Sequence, residues 1–159
     1  RETTDAMREV LWTAGAREEA GIDLSGQLQK VAARLLSRQN VEWSLDPEAT
    51  RARWQPEAAR QIFLFFKETL ANIVRHATAS RVEIRLRMDG SFWRLSVSDD
   101  GRGFDPANAT DGIGLISLRE RARSLHALFE IRSRPGTGTC LELRVPIKHA
   151  VSGEPPGAP

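Results

Sequence analysis

Val82, Ile84, Leu86 and Met88 alternate with Glu83, Arg85 and Arg87, and beyond the turn signal Asp89-Gly90 the apolar Trp93, Leu95 and Val97 alternate again. Two period-two runs joined by Asp-Gly predict an antiparallel hairpin. A second hairpin is predicted where "LFEIRSR" is followed by the turn "PGTG" and by "TCLELRVPI". Elsewhere the period changes to that of a helix. Leu28, Val31, Ala32 and Leu35 recur at helical spacing between a candidate N-cap, Ser25, and Ser37. Pro56 suits the first turn of a long helix running to about Thr78, with Ile62, Phe66, Leu70, Ile73 and Ala77 on one side. Leu115, Leu118, Ala122 and Leu125 mark a third helix, ending near His126. "VEWSL" reads as a short strand, "DPEATRARWQP" as a polar connection, and Thr4 to Ala20 as helical in composition. Hairpins interspersed with helices predict an α+β fold: a two-layer sandwich whose mixed, mainly antiparallel sheet carries helices on one face and meets solvent on the other.

Composition narrows this picture. At 159 residues and 40% hydrophobic content, the chain can bury one core without disulfides or a structural metal. The lone Cys140 excludes an internal disulfide, and no His/Cys spacing suits zinc. No apolar run reaches the roughly 18–20 residues of a membrane span, nor is there a signal-peptide core, so a cytoplasmic location is expected. A formal charge of +2, with arginines interleaved among acids and apolar residues, gives nucleic-acid binding little support. Arg81, Arg85 and Arg87 read as the solvated face of a strand. The chain opens at Arg1 in the middle of a helical pattern, so residues 1–24 are expected to be the remnant of an upstream helical region. Residues 25–148 form the folded domain, and 149–159, rich in Gly and Pro, a disordered tail.

Candidate chemistry lies in two places. On the long helix, Glu68, Asn72, Arg75 and His76 share an arc opposite the apolar stripe. This arc is either a solvated polar face or a site; Phe65, nearly in line with Asn72, indicates that something covers it. An amide near a carboxylate, with two cations one turn on, offers hard oxygen for Mg²⁺ and positive charge for phosphate. The second place is "VSDDGRGFDPANATDGIGL". Asp99 ends a strand expected to be buried, and a buried carboxylate requires a donor, such as the exocyclic amine of adenine. Gly101 and Gly103 would let the backbone lie close beneath a base, while Asp100 caps the turn. Gly112 and Gly114 precede a helix whose free N–H groups suit an anion. A pair of ordinary turns remains the alternative.

In sequence, "ETLANIVRHA", "DDGRGF", "GIGL" and "GTGT" resemble the ATP-binding catalytic domain of bacterial sensor histidine kinases, in the GHKL superfamily, and within it the nitrate-sensor-like, short-lid subfamily. The resemblance covers about Pro56 to Ile147 and implies a Bergerat-type sandwich that binds ATP and Mg²⁺. It assigns Asn72 to Mg²⁺, Arg75 and His76 to the basic end of the same motif, and Asp99 to adenine. Gly101 and Gly103 would shape the base pocket, Gly112, Gly114 and Leu115 adjoin the phosphates, and Thr139 lies near the adenine. Glu68, with Asn72 the catalytic candidate, would polarise a Mg²⁺-bound water or assist a base. Only Arg102 and Phe104 to Asp111 are available as lid material. His76, His126 and His149 are each followed by alanine, whereas the family's phosphoacceptor histidine is followed by an acid. The implied partners are therefore upstream dimerisation and phosphoacceptor helices of the same protein, and a response regulator downstream. A homodimer is implied for the full-length protein, which is compatible with the cytoplasmic part of a membrane-anchored sensor, and a largely monomeric state for this fragment. An anti-sigma serine kinase and a nucleotide-binding interaction module without transfer activity are the alternative functions.

Overall fold

The computed structural model describes residues 21–108, 114–148 and 150–151. Five strands form one sheet: β1 (Asn40–Leu45), β2 (Arg81–Asp89), β3 (Phe92–Asp99), β4 (Leu128–Ser133) and β5 (Thr139–Pro146), in the order β1-β2-β3-β5-β4. β1 runs parallel to β2 and the other pairs are antiparallel, which gives the mixed, mainly antiparallel sheet expected. Among the described residues four α-helices accompany it: α1 (Leu24–Leu35), α2 (Pro47–Arg51), α3 (Pro56–Asn72) and α4 (Leu115–Ser124). α3 packs against both α1 and α4.

Alternation decides the faces. Val82, Ile84, Leu86, Trp93, Leu95, Val97, Leu141, Leu143 and Val145 are buried and, with Ile62, Phe66 and Leu70 of α3, form the core between the layers. The opposite face is polar and internally paired. There Arg81 meets Glu42 at 2.7 Å, Arg85 meets Glu83, and the Arg87 guanidinium donates to Ser44 Oγ at 2.6 Å. Phe65 is buried as well, and its ring meets Phe129 of β4 edge-on at 5.4 Å. The polar arc of α3 is thus covered at this point by the edge strand.

Local differences from the sequence expectation have physical causes. The cap of α1 is Asp23, whose carboxylate accepts from Gly26 N–H, so Ser25 lies inside the first turn and the helix ends at Leu35. The polar connection holds a short helix, α2, with Asp46 as its cap and Pro47 at its first position. Asp46 also accepts from Met88 N–H at 3.0 Å, so the cap is tied to the sheet as well. The long helix stops being α-helical at Asn72; Ile73–Ala77 wind as a π-turn closed by Thr78 at φ 50°. Trp54 bridges Ile22 on one side and Val151 on the other, and packs edge-on against Trp93 at 5.0 Å. Ala150 and Val151 are buried, which brings them into the core where the sequence boundary at 148 left them in the tail. The expected helix of Thr4 to Ala20 and residues 152–159 lie outside the described residues.

Candidate functional site

Asp99 is the last residue of β3, and the alternation that buries Trp93, Leu95 and Val97 turns it toward the helical layer. Directly opposite on β5 stands Thr139, which is also paired with Ser133 of β4. Above them the π-turn and the start of α4 enclose a cavity of about 160 Å³. Of the predicted residues, Asn72, His76, Asp99, Gly103, Leu115 and Thr139 line it. Thr69, Ile73, Ala77, Arg102, Phe104, Leu118, Ile131 and Leu141 complete the lining; the sequence placed Ile73, Ala77 and Leu118 on apolar helix faces and Arg102 and Phe104 in lid material, and assigned none of the eight to the site. Ile131 and Leu141 were legible in principle, because they sit on the helix-facing register of β4 and β5 two residues from Ser133 and Thr139.

Electrostatics separate the two adjacent acids. Burial, the largest influence, pushes the Asp99 carboxyl above the usual carboxylate range, opposed by Gly101 N–H, which donates to Oδ1 at 2.8 Å. The neighbouring charge of Asp100 adds to the rise and the Thr139 backbone opposes it. Asp100 points the other way and is held low, chiefly by Arg81 N–H and then by the Ser80 hydroxyl. Those bonds, 2.9 Å from Arg81 N–H and 2.8 Å from Ser80 Oγ, make Asp100 the cap of the turn into β2.

The glycines serve the protein's own packing. A Cβ on Gly101 would strike the Ala77 carbonyl oxygen, and one on Gly103, at φ +60°, the Arg134 carbonyl oxygen. The space that both missing side chains free is filled by neighbouring backbone, which lets the cavity wall close, and Gly103 itself lines the cavity. Arg102, between them, ties that wall to the π-turn, its N–H donating to Ala77 O at 2.7 Å and its Nε to His76 O at 2.6 Å.

Glu68, Arg75, Gly101 and Gly114 do not line the cavity itself. Arg75 is exposed on the π-turn. Gly114, at φ +68°, caps α4 without a side-chain bond, and a Cβ there would strike the Glu68 carboxylate. Glu68 is therefore set against the positive end of α4, the place predicted for phosphate. Gly112 lies outside the described residues. Asn72, last in α3, and Glu68, one turn earlier, offer an amide and a carboxylate oxygen, a hard donor set that fits Mg²⁺. Among the described residues no group of three His, Cys, Asp or Glu side chains forms an all-protein metal cage, so Mg²⁺ here would take its remaining ligands from water and phosphate, as it commonly does.

Comparison with known proteins agrees with this geometry. The family described as "Histidine kinase-, DNA gyrase B-, and HSP90-like ATPase" matches residues 57–149. The sensor histidine kinase LiaS of Bacillus subtilis (strain 168) is 34% identical over 117 residues, covering 72% of this chain and 31% of LiaS. Among solved structures, the blue-light activated histidine kinase of Erythrobacter litoralis EL346 superposes with a TM-score of 0.66 at 27% identity, over 79% of this chain and 42% of that one. Full-length ShkA, solved in complex with AMPPNP, shares the fold at a TM-score of 0.65 and 23% identity, over 85% of this chain and 32% of that one. The chain spans between 22% and 36% of the length of the first five curated relatives it matches.

Proposed function

Because the chain belongs to the histidine kinase-, DNA gyrase B- and HSP90-like ATPase family, we propose that it is the ATP-binding catalytic domain of a two-component sensor histidine kinase. It would pass the γ-phosphoryl of ATP to a histidine on dimerising helices that are not among these 159 residues. The observation that carries the reading is Asp99: a carboxylate aimed into an otherwise largely apolar cavity, with acceptor capacity beyond the backbone N–H groups of Gly101 and Thr139 that it meets.

In this reading Asp99 accepts from the adenine amine, while Ile73, Phe104, Leu118, Ile131 and Leu141 supply the apolar walls that exclude water from the base. Asn72 and His76, on the rim, face the phosphates, and the exposed Arg75 and Arg102 raise the local positive charge. Asn72 would hold Mg²⁺, with Glu68 one turn earlier polarising a water bound to it. A bound Mg²⁺ would neutralise phosphate charge, which matters here because the Glu68 carboxylate and a phosphate beside Gly114 would otherwise repel each other. The chain's own contribution is positioning and charge complementarity rather than covalent chemistry. The acceptor's neighbouring acid, not Glu68, would serve as base.

Partners follow from the same reading: the phosphoacceptor helices, a second copy joined through them, and a response regulator. Among the described residues no helix is long and apolar enough to cross a membrane, and the domain is proposed to work on the cytoplasmic side. Incubation with γ-labelled ATP tests the proposal. The chain alone should bind ATP and remain unlabelled, since none of its three histidines has an acid after it. A fragment carrying the acceptor helices should become labelled on addition. Stoichiometric phosphohistidine on His76, His126 or His149 would overturn the assignment of the acceptor, and transfer to a serine would establish the anti-sigma kinase alternative. Nucleotide binding with no transfer to the acceptor fragment would leave the interaction-module alternative standing.

A further inference from the structure

Ser133, at the end of β4, touches four groups without lining the cavity. Its Oγ lies 2.9 Å from Phe104 N–H, 3.1 Å from the Gly138 carbonyl oxygen and 2.8 Å from Thr139 Oγ1, and its backbone pairs with Thr139 across the β4–β5 ladder. A serine hydroxyl has one proton to give and two lone pairs. Phe104 N–H can only donate, so Ser133 accepts there. The Gly138 carbonyl can only accept, and it belongs to a buried residue whose oxygen requires a donor, so Ser133 spends its single proton on it. The remaining bond has one solution: the Thr139 hydroxyl donates to Ser133.

We infer that Ser133 is a positioning residue which, by taking the Thr139 proton, makes Thr139 present only lone pairs to the cavity and so sets the site's preference for an amino group over a carbonyl oxygen on the base. The inference rests on the proposal that the cavity holds the base of ATP. Thr139 and Asp99 are direct partners across the β3–β5 ladder and both line the cavity. Two neighbouring acceptors match an exocyclic amine, which has two N–H groups. They are repelled by a carbonyl oxygen in its place, and a site built this way rejects the wrong group strongly because its buried polar atoms are left unpaired. Were Thr139 free to turn its proton into the cavity, that rejection would weaken. The same serine fixes Phe104 at the cavity wall through its N–H. Truncation therefore acts on two lining residues at once, and affinity alone cannot diagnose the role.

The test is the ratio of ITP to ATP dissociation constants, measured by titration calorimetry on the whole chain, because ITP replaces the amine by a carbonyl oxygen and changes the base least elsewhere. The wild-type chain should favour ATP. Ser133→Ala should lower the ratio by about tenfold, since exchanging one lone-pair clash for a hydrogen bond is worth on the order of one decade. Ser133→Thr, which keeps the hydroxyl, should restore the wild-type ratio and guards against loss of fold in the alanine variant. Thr139→Val should lower the ratio as Ser133→Ala does, and the double variant should show no further change, because Ser133 acts through Thr139. A wild-type ratio in Ser133→Ala, with or without an equal loss of affinity for both nucleotides, would reduce Ser133 to a packing role and overturn the inference. Additive effects in the double variant would do the same. If the wild-type chain bound ATP and ITP equally and Asp99→Ala changed neither, the adenine reading itself would have failed, and that outcome is distinct from a failure confined to Ser133.

Discussion

Replacing Asp99 by alanine separates what the carboxylate does for the ligand from what it does for the fold. In the folded chain it is half-buried, accepts one N–H from Gly101 at 2.8 Å and is held above the usual carboxylate range mainly by burial. Its loss removes the charge-assisted bond proposed to the adenine amine, worth about 1.5–3 kcal/mol, and so should weaken ATP binding by roughly 10- to 150-fold. The lower half of that range is expected, because water reaches the carboxylate and competes. Stability should move far less. Gly101 N–H loses its acceptor, which costs about 1–3 kcal/mol where water cannot replace it, but the desolvation of an ionised carboxylate is relieved at the same time. Calorimetric titration of ATP and GTP, beside urea unfolding of both chains, reads the two effects independently. Wild-type affinity together with wild-type preference for ATP over GTP would refute the adenine assignment, while a large loss of stability accompanying any loss of binding would show that the residue serves the fold first.

Three further outcomes are expected. Asn72→Ala should weaken Mg²⁺·ATP binding far more than metal-free ATP binding, and equal losses in titrations with and without Mg²⁺ would remove Asn72 from the metal. Adenosine, which has no phosphate to titrate, should bind less tightly on acidification, starting at a higher pH than an unperturbed aspartate would give. The sign follows from the raised folded-state pKa: the proton returns early and takes away an acceptor, so binding is lost as pH falls through that value. For the free protein the same shift means that ionised Asp99 is a cost, present above its folded pKa and relieved as pH falls toward the unfolded one. Asp99→Asn should abolish the pH dependence seen by adenosine titration. Gly103→Ala places a Cβ against the Arg134 carbonyl at φ +60°, and should destabilise the chain by about 1–3 kcal/mol in urea unfolding; an unchanged midpoint would mean that the 134–138 turn gives way.

What the sequence determined by itself was everything carried by short-range period. The alternation at Val82–Met88 and Trp93–Val97 gave β2 and β3 their faces, Pro56 opened α3, and the four glycine- and asparagine-bearing stretches pointed to one family. Because alternation also fixes side-chain direction, it was enough to turn Asp99 toward the helices and Arg85 and Arg87 away from them. Tertiary structure decided what depends on a distant neighbour. No local pattern marks the π-turn at Ile73–Ala77, whose carbonyls are satisfied by Arg102, about 25 residues on. Nor could spacing show that Gly101 and Gly103 yield their space to the backbones of Ala77 and Arg134, that Glu68 comes to rest at the start of α4, or that Ser133 takes the proton of Thr139. A glycine or a hydroxyl in a sequence shows only a capacity, a missing Cβ or one proton and two lone pairs; which group uses it is settled when the chain closes and every buried polar atom has to find its partner.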